Sequence, residues 1–261
     1  MLPTAFSEQM RQQLGDADFA LFEKALEESP PVSVRETPFR SRVPQAGLGP
    51  KSARVPWAER AFYLPERPIF TLDPAHHAGA YYVQEASSMF LETALRQMVD
   101  FSKPLKIIDL CAAPGGKSTL VTSILNAESL LVANEVIRSR VPVLQENLER
   151  WGCPNVAVTS ADVEDFEPLA GWFDVVVVDA PCSGEGLFRK DGNARNEWSP
   201  SAVEICAGRQ KRILAAAEKL VAPGGILVFS TCTYNHFENS ENCAWLSQNT
   251  DCQSVVLEVE P

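Results

Sequence analysis

The sequence predicts an α/β protein in which a parallel sheet, beginning near residue 100, is covered by helices on both faces. Short apolar segments without polar alternation recur, such as 174–179 (DVVVVD), and these are typical of strands buried on both faces. Helical patterns separate the segments, and strands that alternate with helices form parallel sheets. The 261 residues are enough for one large domain of this class, or for a smaller one with a companion.

Before residue 100, the sequence predicts helices and extended segments. Apolar residues recur about every fourth position in two segments, which predicts two amphipathic helices: Phe6, Met10 and Leu14 in the first, and Phe19, Phe22 and Leu26 in the second. Pro30 and Pro31 stop the second helix. A further helix is expected over about residues 82–99, with Val83, Ala86, Phe90, Ala94 and Met98 on one face.

The strands and helices of the predicted sheet follow in order along the chain. The expected strands are 106–110 (KIIDL), 130–134 (LLVAN), 156–159, 174–179, 225–230 (GILVFS) and 254–259. The expected helices run through Leu125, from Ile137 to Trp151, from the Ser199-Pro200 cap to near Val221, and over 239–247. This alternation indicates a Rossmann-like, doubly wound domain.

The charge balance argues against a protein that holds nucleic acid by bulk charge. The 23 basic residues against 34 acidic ones give a net charge of −11. Residues 35–60 are an exception, with a local charge of +4 from Arg35, Arg40, Arg42, Lys51, Arg54 and Arg60 against two acidic residues. This proline-rich stretch is interpreted either as a solvated connector or as a surface that faces RNA.

Neither a membrane segment nor a metal site is expected. No apolar run approaches the roughly 20 residues needed to span a bilayer, and the N-terminus lacks the pattern of a signal peptide, so the protein is expected to be cytoplasmic. The seven cysteines form no CxxC pair, which argues against a disulfide framework and against a zinc site.

The loop after the first predicted strand is the expected ligand site, because ligands of such sheets bind beyond the carboxyl ends of the strands. This loop runs from Asp109 to Ser118 (DLCAAPGGKS). Its end resembles a phosphate-binding P-loop, but Cys111 occupies the leading glycine position, and the dinucleotide pattern GxGxxG is absent.

Two further acids suit an adenosine ligand that needs no pyrophosphate cradle. Glu135 ends the second strand 19 residues after Gly116, close to the spacing of roughly 20 at which an acid binds ribose. Asp162 follows the third strand and is expected to bind the adenine amine. The predicted cofactor is S-adenosyl-L-methionine.

The fourth and fifth strands end in DAPCSG and STCTY, which places Cys182 and Cys232 at neighbouring strand ends. A thiolate that adds to carbon 6 of a pyrimidine makes carbon 5 nucleophilic enough to accept a methyl group. The sulfonium, Lys117 and the helix dipole would favour the thiolate. Asp179 could hydrogen-bond the pyrimidine, and the second thiol or its bound water could take the carbon 5 proton.

These segments resemble the Nol/Nop/Sun-type RNA cytosine-5 methyltransferases. Within that family they are most similar to the bacterial RsmF-type ribosomal RNA enzymes. The matching motifs are 82–89 (YVQEASSM), 113–117 (APGGK), 133–135 (ANE), 179–186 (DAPCSGEG), 189–191 (RKD), 198–200 (WSP) and 230–233 (STCT). They occur in the family's order over most of the chain.

The resemblance implies a class I methyltransferase fold with an RNA-contacting N-terminal α+β module, residues 1–80, and a catalytic domain, residues 81–261. The implied activity is transfer of a methyl group from S-adenosyl-L-methionine to carbon 5 of a cytidine, in 16S ribosomal RNA, through a bond between cysteine and carbon 6. Transfer RNA is the second candidate target. Methylation of a protein or a small molecule, and a silent role as an RNA-binding assembly factor, are the competing functions. The protein is expected to be a monomer.

The resemblance also implies roles for individual residues. Cys232 is the nucleophile, Cys182 assists release of the methylated base, and Asp179 and Lys117 contact the cytosine. The cofactor lies along Cys111, Ala112, Ala113, Pro114, Gly115, Gly116 and Lys117, with Glu135, Asp162 and Asp179. In DNA cytosine-5 methyltransferases the nucleophile follows a proline, which would select Cys182, but the Thr-Cys pair of strand five favours Cys232.

The sequence departs from this family at two places. The family's N-terminal strand carries Arg-Val-Asn, whereas this chain has Arg35-Glu36-Thr37. RsmF-type enzymes also continue into a C-terminal RNA-binding extension. Either this sequence is a piece of a longer protein, or its target selection relies on the N-terminal part and a partner.

Overall fold

The computed structural model describes residues 2–40 and 53–258. Its N-terminal segment contains two helices and a small antiparallel sheet. The helices are α1 (Thr4–Leu14) and α2 (Asp16–Glu27), which confirms the two predicted amphipathic helices. The sheet has the order β2-β3-β1-β4, formed by β1 (Val32–Glu36), β2 (Ala53–Arg54), β3 (Ala61–Leu64) and β4 (Tyr81–Val83). A short helix, α3 (Pro74–His77), precedes β4.

A second sheet forms the centre of the α/β fold. Its strands are β5 (Lys106–Asp109), β6 (Leu130–Asn134), β7 (Val156–Thr159), β8 (Phe173–Asp179) and β9 (Val221–Ser230), in the order β7-β6-β5-β8-β9. The pairs β5–β6, β5–β8 and β6–β7 are parallel. The remaining helices are α4 (Phe90–Met98), α5 (Gly116–Ile124), α6 (Val141–Trp151), α7 (Gly192–Glu197), α8 (Pro200–Leu220) and α9 (Ser240–Asn249). The predicted Rossmann-like fold is confirmed.

The chain divides into two compact units. The first unit contains residues up to Pro30 together with Val178–Glu218 and Phe229–Val256. The second unit contains Pro31–Val177, Lys219–Val228 and the chain from Leu257. The expected division at residue 80, between an RNA-contacting module and a catalytic domain, is a functional one and stays a prediction.

Each unit has its own apolar core. In the second unit, Ile107, Leu131 and Val175 of the sheet are fully buried with Leu120 of α5, as the unalternating strands predicted. In the first unit, aromatic rings form the core: Phe6 of α1 lies with its ring centroid 4.9 Å from that of Phe188 and 5.7 Å from that of Trp198, in edge-to-face geometry. Such ring pairs add stability beyond the area they bury.

Two predictions of secondary structure were wrong in part. The helix expected over 82–99 begins only at Phe90, because Tyr82 and Val83 pair with Arg35 and Val34 of β1 and a 3-10 turn covers Ala86–Met89. Within 254–259, no strand forms over residues 254–258, where Val256 is 91% exposed and so gains nothing from strand burial; residue 259 lies outside the described residues. At the first place tertiary pairing overrides the local pattern, and at the second the apolar pattern has no buried face that would stabilise a strand.

Two of the basic residues in the +4 stretch, Arg42 and Lys51, lie outside the described residues. Among the helices of residues 2–40 and 53–258, none combines the length and the apolar character needed to cross a membrane.

Candidate active site

The predicted ligand loop in the second unit follows β5 directly and is held by the neighbouring strand ends. Asp109 is fully buried and accepts a 2.6 Å hydrogen bond from the Ser118 hydroxyl at the start of α5. The N–H of Ala112 donates to the carbonyl of Asn134, the last residue of β6, at 2.8 Å. The loop is therefore fixed at both its entry and its exit.

Gly115 allows this loop to turn into α5. It has φ of 109°, which side chains rarely adopt, and a Cβ atom there would lie 3.3 Å from Cδ1 of Leu144 on α6. Two side chains also hold the loop carbonyls: Arg140 donates to the carbonyl of Ala113 at 2.6 Å, and Asn147 donates to that of Pro114 at 2.7 Å. The first turn of α5 then follows, where the N–H groups and the helix dipole favour a carboxylate or other anion.

Glu135 has a fixed carboxylate at the end of β6. The side chain is only 2% exposed, and its Oε1 atom accepts a 2.8 Å hydrogen bond from the N–H of Ile137. Its Oε2 atom lies 3.0 Å from Nη1 of Arg140 in an ion pair. Arg140 thus joins the acid at the end of β6 to the carbonyl of Ala113, so two predicted cofactor-binding positions are held by one side chain.

Asn134 connects the strand ends around the predicted ligand loop, a structural role that the sequence did not reveal. Its amide nitrogen donates to the carbonyls of Leu110 and Ala161 at 3.2 and 3.0 Å, and its oxygen accepts from the Thr159 hydroxyl at 2.9 Å. These contacts join the carboxyl ends of β5, β6 and β7. The structure therefore brings Asp109, Glu135 and Asp162 to one edge of three adjacent strands, as expected for acids at three successive strand ends.

Asp162 has a structural role in addition to the predicted one. It caps the 3-10 helix Val163–Leu169, in which its side chain accepts from the N–H of Glu164 while Asp165 accepts from the N–H of Asp162. Its side chain is partly exposed. Binding of the adenine amine by Asp162 stays a prediction.

Arg35 does not belong to an RNA-facing surface, which corrects one interpretation of the +4 stretch. It is 1% exposed, and its guanidinium donates to the carbonyl of Gly116 at 3.2 Å, to the Thr119 hydroxyl at 2.6 Å and to Gln84 Oε1 at 3.0 Å. It also stacks 4.4 Å above the Trp151 ring. Burial lowers the pKa of Arg35 to about 9, so the side chain stays charged at neutral pH. Arg35 therefore holds the first turns of α5 in place through hydrogen bonds to Gly116 and Thr119.

Replacing Arg35 by methionine is expected to destabilise the protein by about 3 kcal/mol. Methionine would remove the charged donor from Gln84 Oε1 and from the hydroxyls of Thr119 and Ser123, and hydrogen bonds to a charged group are each worth about 1.5–3 kcal/mol. Urea unfolding followed by circular dichroism measures the change. Arg60→Met, at an exposed position on the same stretch, is the matched control and should change stability by less than about 0.5 kcal/mol. Equal midpoints for the two variants would contradict this role of Arg35.

The two cysteines that the sequence placed at neighbouring strand ends, Cys182 and Cys232, lie together in the first unit. Cys182 follows β8, Cys232 follows β9, and their Sγ atoms are 3.1 Å apart, within hydrogen-bond distance for sulfur. Cys232 is exposed, whereas Cys182 is partly buried. The two residues are 50 positions apart in the chain, so the pairing confirms the predicted juxtaposition of these strand ends.

The contact makes the two thiols unequal. The hydrogen bond to Cys232 raises the pKa of Cys182, and burial raises it further. Cys182 therefore holds its proton at neutral pH and can donate it to the Cys232 sulfur. A thiolate that accepts a hydrogen bond is stabilised in its charged form, and the exposed member of the pair is the one that a substrate can reach.

The other predicted catalytic side chains divide between the units. Asp179, the last residue of β8, accepts a 2.8 Å hydrogen bond from the Ser230 hydroxyl in the first unit. Lys117 lies in the first turn of α5 in the second unit and is partly buried. Within residues 2–40 and 53–258, no three His, Cys, Asp or Glu side chains are grouped as a metal site would require.

The parallel sheet and the acid-bearing loop define the class of protein, a class I methyltransferase. Residues 97–260 match the family described as 16S rRNA methyltransferase RsmB/F, and residues 2–86 match the N-terminal domain of 16S rRNA methyltransferase RsmF. The chain belongs to the RsmB/F family of 16S rRNA methyltransferases. Membership in a methyltransferase family supports S-adenosyl-L-methionine as the cofactor.

Curated relatives agree with this family. Ribosomal RNA small subunit methyltransferase F from Escherichia coli O17:K52:H18 (strain UMN026 / ExPEC) is 37% identical over 258 residues, covering 94% of this chain and 53% of the relative. The protein of the same name from Escherichia coli (strain K12) matches with the same identity and coverage, 37%, 94% and 53%. The chain thus spans about half the length of the curated relatives it matches.

Solved structures share the fold. PH0851 superposes with a TM-score of 0.84 and 25% identity over 95% of this chain and 56% of that one. A methyltransferase homolog protein from Pyrococcus horikoshii gives a TM-score of 0.78 and 28% identity over 95% and 79%. NSun6 from Pyrococcus horikoshii with SFG gives a TM-score of 0.78 over 94% and 87%, and at 19% identity this likeness shows the fold alone.

Proposed function

We propose that this chain transfers a methyl group from S-adenosyl-L-methionine to carbon 5 of a cytidine in small-subunit ribosomal RNA, acting as a cytoplasmic monomer. The observation that carries the proposal is the pair of thiols 3.1 Å apart, of which Cys232 is exposed and Cys182 is partly buried. A nucleophilic thiolate activates a target carbon that is too weakly nucleophilic to react alone, and a second thiol beside it can assist release of the product.

The residues of the second unit suit the adenosine part of the cofactor. Glu135 Oε2 accepts no hydrogen bond within the described part of the chain, and its contact with Arg140 is ionic. It therefore retains the capacity to accept hydrogen bonds from ribose hydroxyls. We assign the segment from Cys111 to Lys117 to the methionine part, Glu135 to the ribose and Asp162 to the adenine, with Asp179 beside the reacting end. The cofactor, when bound, supplies the methyl group.

Cys232 and Cys182 perform the covalent part of the proposed reaction. Addition of the Cys232 thiolate to carbon 6 forms an S–C bond and moves an electron pair onto carbon 5, which then takes the methyl group. Once its sulfur is bonded to carbon, Cys232 no longer carries the negative charge that holds the Cys182 proton. Cys182 can then lose its proton to solvent water and, as a thiolate, accept the proton from carbon 5. The electron pair of the C–H bond re-forms the double bond as the S–C bond breaks, which restores the Cys232 thiolate and the Cys182 thiol.

Asp179 and Lys117 are proposed to contact the target base. The Asp179 side chain could hydrogen-bond N3 of the cytosine as a protonated carboxyl group, or accept a hydrogen bond from the amino group as a carboxylate. The hydrogen bond to N3 would stabilise the negative charge that develops on the ring when the thiolate adds to carbon 6. The cytidine must leave its stack for the thiol to reach carbon 6. Arg40, Arg54 and Arg60 are exposed and offer charge for RNA phosphates, so binding should weaken as the salt concentration rises.

The test is methyl transfer from a radiolabelled donor to purified small ribosomal subunits, naked 16S RNA and transfer RNA, followed by bisulfite sequencing of the product. We expect 5-methylcytidine in the 16S RNA. Label in transfer RNA alone would select that RNA as the target instead. Label that survives nuclease treatment of a cell extract would indicate a protein or small-molecule substrate. Failure to bind the donor in calorimetry would favour a silent assembly factor.

Glu135→Gln is expected to weaken binding of S-adenosyl-L-methionine by about 10- to 100-fold. Loss of the charged acceptor removes hydrogen bonds that are each worth about 1.5–3 kcal/mol, and 1.4 kcal/mol is tenfold in affinity. Isothermal titration calorimetry measures the dissociation constant. Glu128→Gln removes the same charge from an exposed position of the second unit and should bind like the wild type. Equal affinities for all three proteins would remove Glu135 from the cofactor site.

A further inference from the structure

Two buried carboxylates hold the loops that carry the catalytic thiols. Glu185 lies three residues after Cys182, Glu238 lies six residues after Cys232, and both side chains have 0% exposure. All four residues belong to the first unit. Glu185 belongs to the 179–186 motif, but the sequence assigned no role to either carboxylate, and the proposed methyl-transfer mechanism does not use them.

Glu185 reaches from the loop of Cys182 to the backbone that follows Cys232. Its Oε2 atom accepts hydrogen bonds from the N–H groups of Tyr234 and Asn235 at 2.8 and 3.0 Å. Its Oε1 atom accepts from the Trp198 indole at 3.1 Å and from the Asn235 side-chain amide at 3.0 Å. Both oxygens therefore face donors only.

Glu238 makes the opposite connection. Its Oε2 atom accepts from the N–H of Ser183, the residue after Cys182, at 2.9 Å, and from Gln210 Nε2 of α8 at 2.9 Å. Its Oε1 atom accepts from Asn235 Nδ2 at 2.8 Å. The Asn235 amide consequently donates to both carboxylates and joins them.

A backbone contact completes the connection at Cys232 itself. The N–H of Gly186 donates to the carbonyl of Cys232 at 2.7 Å. A Cβ atom at position 186 would lie 2.5 Å from that carbonyl oxygen, so only glycine permits the two loops to approach this closely.

Burial of two carboxylates costs free energy, because an ionised carboxylate loses its hydration and needs several hydrogen-bond donors in compensation. A chain that keeps two such groups beside its cysteine loops is expected to use them. Backbone N–H groups of each cysteine loop are held by the carboxylate of the other loop. A buried network in which every donor is satisfied fixes one geometry, and its loss leaves charged groups without partners. The group whose position this network determines is the pair of sulfur atoms.

We propose that Glu185 and Glu238 are positioning residues that form a reciprocal clamp, which keeps the Cys182 sulfur 3.1 Å from the Cys232 sulfur and so makes Cys232 the reactive thiolate. The clamp itself is a property of the free protein. Its catalytic consequence rests on the proposed function, methylation of RNA at carbon 5 of cytidine.

The test is alkylation by iodoacetamide at pH 7.5 with peptide-resolved mass spectrometry, in the absence of RNA and methyl donor. In the wild-type chain, Cys232 should react at least about tenfold faster than Cys182 and than Cys243, a second exposed cysteine of the first unit, whose pKa is raised by burial. In Glu185→Gln and Glu238→Gln, an amide N–H₂ would face donors, the loops would separate, and the preference for Cys232 over Cys243 should fall about tenfold. Glu241→Gln is the matched control. Glu241 is exposed in the first turn of α9, which follows the loop of Cys232, and this variant should keep the wild-type preference.

Gly186→Ala keeps both carboxylates and disturbs the backbone contact between Gly186 and Cys232. It therefore tests the clamp independently if a glutamine variant fails to fold. It should also lower the preference for Cys232. In RNA methylation, folded clamp variants should lose kcat with little change in the KM for RNA, because the clamp does not touch RNA.

A folded clamp variant with unchanged thiol selectivity would overturn the proposal, as would a wild-type Cys232 no faster than Cys243. The alkylation result is independent of the proposed function. A protein that methylates no RNA but shows the expected selectivities would retain the clamp and lose the function.

Discussion

Cys232→Ala is expected to reduce methyl transfer to RNA by at least about 10⁴-fold, because without the S–C bond carbon 5 of cytosine has too little electron density to accept a methyl group. Binding of S-adenosyl-L-methionine should not change, since Cys232 is not among the residues assigned to the cofactor. The measurement is incorporation of label from the methyl donor into 16S RNA under single-turnover conditions, with calorimetry for cofactor affinity.

Cys243→Ala is the matched control for this variant. It removes another exposed cysteine of the first unit, and the protein should methylate at the wild-type rate. Normal product formation by Cys232→Ala would rule out Cys232 as the nucleophile. If Cys182→Ala were instead the inactive variant and formed no adduct, the two cysteines would have exchanged roles.

Cys182→Ala is expected to accumulate a covalent protein–RNA adduct. Cys232 can still add to carbon 6 and the methyl group can still be transferred, but the carbon 5 proton then has no nearby thiolate to accept it. Multiple turnover should fall by about 100-fold or more, while the first turnover incorporates up to one methyl group per protein. Labelled RNA that migrates with the protein on a denaturing gel measures the adduct.

The double variant Cys182→Ala, Cys232→Ala is the control for the adduct and should give none. The RNA must be one that the wild type methylates. A Cys182→Ala protein that turns over normally on such RNA, with no retained label, would show that Cys182 has no part in release, and another group would have to take the proton.

The strands of the central sheet could be predicted from the sequence because a strand that is buried on both faces consists almost entirely of apolar residues. Val175 to Val178 are fully buried, and the unbroken apolar run of β8 could form only an interior strand. Tyr82 and Val83 were assigned to a helix because the apolar spacing continues through them, whereas their partners in β1 lie 47 and 49 positions away. A local pattern does not contain that information.

The residues of the candidate site likewise include some that local sequence could predict and some that it could not. Asp109, Glu135 and Asp162 could be predicted because strand ends in a parallel sheet meet at one edge. Arg35 could not, since a basic residue in a basic, proline-rich stretch looks like a surface residue until its partners on α5 are known. Glu185 and Glu238 were missed for a related reason: their donors lie about 50 positions away in the chain, and glutamate is ordinarily a surface residue.

The double contact of Arg140 has a consequence for how the second unit could change in related proteins. One planar guanidinium reaches both the carbonyl of Ala113 and the carboxylate of Glu135, so the separation of these two groups is set by a rigid fork. A lysine would conserve the charge but concentrate it at one point, and could satisfy only one of the two groups well. Position 140 therefore fixes the spacing between the loop carbonyl and the Glu135 carboxylate, and a protein with a longer loop would need a different residue to bridge these two groups.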